Sequence, residues 1–292
     1  MKKVGILFDR LRWEEKELAH QFETRGISAE LIDAKTLILA LNPEIEQLAL
    51  SDVILGRCVS YYRGSNLAYV LEARGVKVIN SNRIMELCGN KLVTSQLLAK
   101  KNVPTPRTVV AFSSESALEA VEKVGYPCVM KPIVGSWGRQ VVPIRDRETA
   151  EALIEMREQI LDSMNSIYYV QEMVKRPPRD IRCITAGKSV VASVYRYAAD
   201  NSWKTNVALG GRSEPCPLTD ELEKVLMRTV EAIGSESILG IDLMESPEFG
   251  YVVHEVNGTV EFKGAQQATE TSISGTMVDY VLKEFELDKI SA

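Results

Sequence analysis

The sequence has little of the residues on which metal–thiolate sites and histidine-based active sites depend. It contains two histidines, His20 and His254, and five scattered cysteines without a Cys-x-x-Cys pair. These counts argue against a zinc ribbon, a disulfide framework, a Ser-His-Asp triad and a His-rich metal site. A reactive cysteine would need one of the two histidines as its base, so we expect the thiols to be buried and inert.

Long apolar runs are also missing. No segment approaches the roughly 18 apolar residues that a membrane-spanning helix needs. The N-terminus enters an apolar, strand-like stretch without a small-residue cleavage site, so no signal peptide is predicted. With 35 basic and 40 acidic residues the net charge is −5, which argues against a general nucleic-acid-binding protein. We therefore predict a cytoplasmic protein that binds neither a membrane nor nucleic acid.

The 292 residues are 45% apolar and 26% charged, a composition typical of folded globular chains, and the length predicts about two domains. In the first third, apolar strands alternate with amphipathic helices, which favours a parallel sheet and an α/β fold class. The predicted strands are Val4–Asp9, Ala29–Asp33, Asp52–Leu55 and Val76–Asn80, and the predicted helices are Trp13–Arg25, Asn66–Arg74 and Lys91–Lys101. Pro104 and Pro106 then mark a linker, since each proline disfavours helix at the residue before it.

The middle and the last third show a different pattern. The middle part predicts strands Thr108–Ala111, Pro127–Pro132, Gln140–Ile144 and Ile167–Glu172, with helices Ser114–Lys123 and Arg147–Gln159. Pro177 and Pro178 mark the second linker. Beyond it we predict strands Asp180–Ala186 and Ser189–Tyr197, helices Leu218–Ile233 and Gly275–Leu287, and a hairpin of Ile238–Met244 and Tyr251–Val256.

The hairpin carries the clearest chemical signal. Glu255 and Asn257 are two residues apart and share a strand face. If Glu245 pairs with either Gly250 or Val252, Asp242 lies on that same face. Two carboxylates and an amide oxygen are the ligands that Mg²⁺ prefers. The alternative is that Asp242 is a bulge or edge residue and Asn257-Gly258 a turn, but an aspartate in an apolar run is costly to bury without a counter-charge, which favours the metal site.

Three weaker signals surround the hairpin. Lys131 precedes a glycine-containing loop, Gly135-Ser136-Trp137-Gly138-Arg139, whose backbone amides suit phosphate oxygens, although a plain glycine hairpin would have the same pattern. The segment Gln171–Val174 ends a strand where backbone groups could bind an adenine edge. Asp180 and Arg182 share a face, so they form either a cross-face ion pair or, together with Arg196, part of a phosphate site.

These signals, in this order, resemble the ATP-grasp superfamily and, within it, the RimK-like carboxylate–amine ligases. The closest resemblance is to the ligases that attach 2-aminoadipate or glutamate to an amino-group carrier protein, and it spans about Val4 to Tyr280. The segments that carry it are Arg57–Ser60, Cys88–Lys91, Lys131–Arg139, Arg179–Arg182, Asn206–Gly211 and Glu255–Lys263. One departure is Asn90, where an aspartate is expected, and because Lys91 remains, nucleotide binding is little affected.

The resemblance implies an α+β ATP-grasp fold in three parts. Residues 1–88 would form an N-terminal pre-ATP-grasp domain with a parallel sheet. Residues 89–175 would form a central subdomain that carries the glycine-rich lid, and residues 176–292 a C-terminal subdomain with the magnesium site, so that the two subdomains enclose ATP. A homodimer or homotetramer is expected for the same reason.

The resemblance also implies a role for each site residue. Lys91 and Lys131 would hold the phosphates, Gly135 to Arg139 would close over them, Gln171 to Val174 would take the adenine, and Asp180 would lie at the ribose or a carrier-facing rim. Asp242, Glu255 and Asn257 would hold one or two Mg²⁺, while Arg182, Arg196 and Asn206 would meet the transferred phosphate. Lys263, Gly264 and Ala265 would border the amino-acid pocket.

The implied reaction has two steps and an acidic protein partner. A carboxylate of the carrier's C-terminal glutamate attacks the γ-phosphate of ATP, and the amine of glutamate or 2-aminoadipate then displaces phosphate. We expect Arg57 and Arg63 to contribute to a basic rim for the carrier, the alternative being that both are solvated charges at a helix start. Two other functions remain open: a RimK-like glutamate ligase for a small molecule or another protein, and a nucleotide-binding regulator without turnover, against which the intact metal trio argues.

Overall fold

A computed structural model describes residues 3–42, 51–160, 162–198 and 212–287. The N-terminal part is the predicted parallel sheet, with strands in the order β2-β1-β3-β4. The strands are β1 (Val4–Phe8), β2 (Ala29–Asp33), β3 (Val53–Gly56) and β4 (Lys77–Ile79), and the helices are α1 (Trp13–Thr24), α2 (Tyr61–Glu72) and α3 (Asn82–Gly89). Helix α2 begins five residues before the predicted start because the Ser60 hydroxyl caps it. Helix α3 was not predicted.

The central part is an antiparallel sheet with strands in the order β5-β8-β6-β7 and two helices packed against it. Its elements are α4 (Lys91–Lys100), β5 (Thr108–Ala111), α5 (Ser114–Val124), β6 (Cys128–Lys131), β7 (Val142–Ile144), α6 (Arg147–Glu158) and β8 (Tyr168–Glu172). Strand β7 begins two residues later than predicted. The glycine-containing loop therefore spans the whole connection between β6 and β7.

The C-terminal part is a second antiparallel sheet, with strands in the order β11-β10-β9-β12-β13. Its elements are β9 (Arg179–Ala186), β10 (Ser189–Tyr197), β11 (Arg212–Pro215), α7 (Asp220–Ile233), β12 (Ile238–Ser246), β13 (Gly250–Asn257), α8 (Lys263–Thr269) and α9 (Ile273–Leu287). The long strands and the hairpin lie where the sequence predicts them, whereas β11 and α8 were not predicted. No helix in the described ranges is long and apolar enough to span a bilayer.

The apolar cores explain how the parts are joined. Side chains of the N-terminal sheet, such as Ile6, share one buried cluster with β9, β10 and α9, to which Ile184 and Met277 belong. The central sheet has its own cluster, built around Val121 and Tyr168. The N- and C-terminal sheets therefore form one packed body, and the central sheet, which carries the glycine loop, packs around a separate core.

The cysteines have the buried, inert character that the sequence predicts. All five are free thiols, and all but Cys88 are buried. Burial raises the pKa of Cys58 and Cys183 to about 12, so neither is a thiolate nucleophile at neutral pH.

Candidate functional site

A cleft of about 1250 Å³ opens where the three parts of the chain meet. The ends of β1 and β3, the loop after β6 and the hairpin β12–β13 form its walls. The residues of the predicted site that line it are Arg63, Lys91, Gly135, Ser136, Trp137, Arg139, Arg182, Arg196, Asp242, Glu255, Asn257, Lys263, Gly264 and Ala265. Asn206 lies outside the described residues. The cleft thus brings together most of the side chains that the sequence singled out.

The hairpin brings the three oxygen-bearing side chains together through a bulge. Asp242 pairs with Glu255 and Gly240 with Asn257, so all three side chains lie on one face. Glu245 pairs with Tyr251, not with Gly250 or Val252, and the register condition set from the sequence is therefore wrong. The reason is one extra residue in β13, at His254, which restores the shared face. The amide nitrogen of Asn257 lies 3.5 Å from a carboxylate oxygen of Asp242.

Asp242 has the counter-charges that its burial requires. It is 3% exposed, and Arg182 on the neighbouring strand β9 donates to both of its carboxylate oxygens. A guanidinium nitrogen of Arg196 lies 3.1 Å from one of them. Burial alone would raise the pKa of Asp242, but the charges of Arg182 and Arg196 outweigh burial and hold the pKa well below its usual range. The carboxylate is therefore ionised at every physiological pH.

Asp180 has a different place from the one expected. It is 3% exposed, and its two carboxylate oxygens accept hydrogen bonds of 2.8 Å from Nε and Nη2 of Arg196, its partner in the β9–β10 register. A position at a carrier-facing rim is therefore wrong, because the carboxylate is inside the protein. The cross-face pair of Asp180 with Arg182 is also replaced, since Arg182 pairs with Asp242. Asp180 holds the Arg196 guanidinium toward Asp242.

The donor set of the hairpin fits a hard divalent cation. Two carboxylates and an amide oxygen are oxygen ligands of the kind that Mg²⁺ accepts while it keeps water or phosphate oxygens at its other positions. No group of three or more His, Cys, Asp or Glu side chains suited to a metal occurs in the described ranges. The third protein donor in the predicted set would be the amide of Asn257, which can present either its oxygen or its nitrogen by rotation.

Lys91 links the glycine loop to the hairpin. Its Nζ lies 3.1 Å from Glu255 and donates a 2.7 Å hydrogen bond to the carbonyl of Gly135. Asn90, the departure from the family pattern, caps helix α4 by accepting from the Leu92 amide at 3.0 Å. An asparagine caps a helix as well as an aspartate does, so the departure leaves the position of Lys91 intact.

Lys131 and Gln171 form a buried pair. The Nζ of Lys131 donates a 2.6 Å hydrogen bond to Oε1 of Gln171, whose amide nitrogen is held by the hydroxyls of Thr108 and Tyr169. Burial lowers the pKa of Lys131 to about 8, and the attraction of Glu255 offsets only part of that effect. The side chain of Gln171 thus orients the lysine and is not free to meet an adenine.

The rest of the predicted adenine segment lies beside a second cavity. Glu172, Met173 and Val174 line a space of about 390 Å³ together with the hairpin turn Ser246–Phe249. The carboxylate of Glu172 accepts from the backbone amide of Arg107 at 2.7 Å. Glu172 is the last residue of β8, and Met173 and Val174 begin the linker to the C-terminal sheet. The backbone amides of Glu172 and Met173 donate to the carbonyls of Arg107 and Pro127.

The glycine loop is folded down onto the N-terminal part. Gly135, Trp137 and Gly138 all have positive φ angles, which explains why glycine occurs twice in so short a segment. The indole N–H of Trp137 donates to Glu261 at 3.4 Å, and Arg12 donates to the same carboxylate oxygen at 2.9 Å. No sequence pattern predicts these contacts, because Trp137 and Arg12 are 124 and 249 residues away from Glu261.

Arg57 contradicts the expected basic rim. It is 2% exposed, its Nε donates to the buried Glu15 at 3.2 Å, and its guanidinium lies 5.9 Å from the ring of Phe262. Because it follows β3 directly, it points into the core, so it is neither a rim residue nor a solvated helix-start charge. Arg63 is partly exposed, pairs with Asp9 and lines the cleft. Arg10 and Lys35 are exposed and also line the cleft, and neither was predicted from the sequence.

His254, to which the sequence assigned no role, occupies a distinctive position. It is the bulge residue of β13, and its Nε2 is buried without a hydrogen-bond partner in the described part of the chain. Burial and the nearby charge of Lys131 lower its pKa to about 4, so the ring is neutral at physiological pH. A single histidine between a valine and a glutamate of a strand offers no sequence signal for this environment.

Comparison with known proteins agrees with the geometry. Residues 88–281 match the RimK-like ATP-grasp domain, and residues 4–87 match the LysX preATP-grasp domain. The alpha-aminoadipate–LysW ligase LysX of Sulfurisphaera tokodaii is 37% identical over 284 residues, which cover 97% of this chain and 98% of that protein. The glutamate–LysW ligase ArgX of the same organism is 35% identical and covers 97% and 99%.

A solved structure gives the same result for the fold. The RimK domain ATP-grasp protein from Sphaerobacter thermophilus superposes with a TM-score of 0.78 at 26% identity, over 96% of this chain and 99% of that one. The ATP-grasp fold and the resemblance that the sequence predicts are thereby confirmed. This chain belongs to the RimK-like ATP-grasp family and is an ATP-dependent ligase that forms an amide bond.

Proposed function

We propose that this ligase uses ATP to activate the side-chain carboxylate of a glutamate at the C-terminus of a LysW-like carrier protein. It then joins that carboxylate to the α-amine of 2-aminoadipate, glutamate or both, in lysine and arginine biosynthesis. The observation that carries the proposal is the Asp242–Glu255 pair, which faces Arg182 and Arg196 in a cleft covered by the glycine loop. The names of the relatives, LysX and ArgX, supply the substrate class.

The first step is phosphoryl transfer from ATP to the carboxylate. It needs positioning and charge neutralisation rather than a protein nucleophile, which fits a site of lysines, arginines and carboxylates. Lys91 and Lys131 hold the nucleotide phosphates. Arg196, oriented by Asp180, and Arg182 neutralise the charge that develops on the transferred group.

Asp242, Glu255 and Asn257 would hold Mg²⁺. When bound, the ion would supply positive charge that neutralises the phosphates of ATP. Asp242 is suited to this task because Arg182 and Arg196 keep it ionised and fixed before any ligand arrives.

The second step is attack of the amine on the acyl-phosphate, with phosphate as the leaving group. Water must be excluded meanwhile, since it would hydrolyse the intermediate. The glycine loop, held down by the contact of Trp137 with Glu261, covers the cleft in this step. Lys263, Gly264 and Ala265 border the place where the amino acid enters, and Asn206 meets the acyl-phosphate.

The acidic carrier docks at a rim of basic side chains on the N-terminal part. Arg63 stays from the pair proposed from the sequence, and Arg10 and Lys35 take the place of Arg57, because all three line the mouth of the cleft and are at least partly exposed. Complementary charge speeds encounter and fixes orientation more than it adds affinity. The sheet topology supports a division into three parts at residues 88 and 175, because each part contains one sheet. A homodimeric or homotetrameric assembly remains part of the proposal.

The deciding experiment weighs the carrier. The enzyme is mixed with ATP, Mg²⁺ and a LysW-type carrier, separately with glutamate and with 2-aminoadipate, and the carrier mass is measured. We expect a gain of one amino-acid residue with one or both of them. Since these amino acids differ by one methylene, worth about 1–3 kcal/mol in a pocket, use of both is a natural outcome. Phosphate release with a small-molecule acceptor but no carrier would instead favour the other glutamate ligase.

A further inference from the structure

One buried asparagine ties the N-terminal sheet to both strands of the hairpin. Asn80 follows β4 directly and is 2% exposed. Its amide nitrogen donates 2.7 Å hydrogen bonds to the carbonyls of Ile238 and Gly258, and its amide oxygen accepts from the Ile238 amide at 2.7 Å. Three of the four hydrogen bonds that this side chain can form are therefore made to two backbone positions 20 residues apart.

Those two positions bracket the proposed metal site. Ile238 is the first residue of β12, and Gly258 follows Asn257, the last residue of β13. A second contact reinforces the same junction, because the Thr259 hydroxyl donates to the carbonyl of Cys58 at 3.2 Å. The open end of the hairpin, where Asn257 pairs with Gly240, is thus fixed to the N-terminal wall of the cleft.

Another contact, made by Lys77, joins the N-terminal and C-terminal parts away from the hairpin and serves as a structural comparison. Lys77, on β4 itself, donates to the carbonyl of Glu284 at 2.8 Å and lies 3.5 Å from its carboxylate. That contact joins the same sheet to α9 and does not touch the hairpin. Only an amide at position 80 both donates to two carbonyls and accepts from an amide, since aspartate lacks the donor and serine lacks the reach.

We propose that Asn80 is a positioning residue for the metal site. By fixing Ile238 and Gly258 together it keeps Asn257 opposite Gly240, with its amide beside Asp242, and it sets the distance of the trio from the N-terminal wall. The inference rests on the proposed function in taking the trio as metal ligands. Substituting groups that orient metal ligands typically weakens metal affinity about 10–100-fold.

The test measures Mn²⁺ binding by electron paramagnetic resonance with enzyme saturated with ADP. We expect Asn80→Ala to weaken Mn²⁺ binding about tenfold. The Mg²⁺ concentration needed for half-maximal activity should rise by a similar factor. Lys77→Met is the matched control: it removes a tie between the same two parts, so it lowers the melting temperature but leaves Mn²⁺ affinity unchanged. Thr259→Val, a milder change at the same junction, should weaken Mn²⁺ binding about threefold.

The outcomes separate this inference from the function on which it rests. A folded Asn80→Ala protein with wild-type Mn²⁺ affinity would make Asn80 a structural tie only and overturn the inference. If Asn80→Ala does not fold, Thr259→Val decides in the same way, and unchanged Mn²⁺ affinity again overturns it. If the wild-type enzyme with ADP binds no Mn²⁺, the metal site itself is misplaced, and the proposed function fails with it.

Discussion

Lys131 illustrates how burial changes the chemistry of a single residue. Its folded-state pKa of about 8 lies below its ordinary value of 10.5 because burial disfavours the charged amine. The unfolded chain therefore binds the proton more tightly, so the buried charge costs stability below about pH 8, and that cost disappears as the pH rises toward 10.5. The protein tolerates the cost at a position where we propose that a cation meets phosphate.

The pH dependence of ATP use follows from this shift. As the pH rises through about 8, Lys131 in the free enzyme loses its proton and its attraction for phosphate. We therefore expect kcat/KM for ATP to fall above pH 8, since this parameter reports the free enzyme. Lys131→Arg, whose guanidinium stays charged, should shift the fall well above pH 9. Identical profiles for the two proteins would mean that another group causes the fall.

Glu255 and Glu245 offer a matched pair on one hairpin. Both are half-buried glutamates in ion pairs, Glu255 with Lys91 and Glu245 with Arg179. We expect Glu255→Ala to lower Mg²⁺-dependent ADP formation by about 10²–10³-fold, because a ligand for the ion is lost. Glu245→Ala should change the rate by less than about threefold, as for a partly exposed ion pair. Similar losses in both variants, measured by coupled ADP release, would place the metal elsewhere.

The glycine loop shows what a whole element contributes. It connects β6 to β7 within the central sheet, which has its own apolar core, and it touches the rest of the protein through few contacts such as Trp137 with Glu261. Segments with few buried contacts open at low cost. In the proposed function, the same loop would let substrates enter and, when closed, would keep water away from the acyl-phosphate.

The contact of Trp137 with Glu261 allows a prediction about how tightly ATP hydrolysis is coupled to amide formation. Trp137→Phe keeps a ring between Arg10 and Arg139 but lacks the N–H donor to Glu261. One lost hydrogen bond, worth about 1 kcal/mol, opens the closed loop about fivefold more often. We expect more phosphate to be released per amide formed, with Trp137→Ala worse than Trp137→Phe. An unchanged ratio of phosphate to amide in both variants would show that this contact does not hold the lid.

At the scale of the molecule, we expect a buried arginine to stabilise the fold and an exposed arginine to bind the carrier. Arg57 is buried beside Glu15, whereas Arg63 is partly exposed at the mouth of the cleft. Two residues that look equivalent in the sequence thus have different environments, since Arg57 lies inside the domain and Arg63 lies at its surface. Their substitutions should affect different properties of the protein.

We expect Arg57→Met to lower the free energy of unfolding by about 3–5 kcal/mol, because it leaves Glu15 without one of its buried cations. The KM for the carrier should hardly change. Arg63→Glu combined with Lys35→Glu should raise the carrier KM several-fold and reduce its salt dependence. Carrier binding that is equally strong in high salt, or in the double variant, would contradict the basic rim.

Much of the site was predictable because its chemistry is local in the sequence. The spacing of Glu255 and Asn257 puts them on one strand face, and the glycines of the loop after β6 mark positive φ angles. The shared face of Asp242 with Glu255 and Asn257 was predicted from the wrong partner for Glu245, since a bulge has no signature beyond the residue it inserts. Asp180, Arg57 and His254 were misjudged or missed because their environment is made by strands distant in the chain.

The sequence by itself determined the alternation of strands and helices, the chemistry of the hairpin and the family. Each follows from periodicity, residue type and short spacings, which act over a few residues. Only the tertiary structure decided that Asp242 is held by two arginines, that Arg57 is internal, and that Asn80 fixes the open end of the hairpin. Burial and long-range pairing determine these outcomes, and both arise only when segments that are 42 to 178 residues apart pack together.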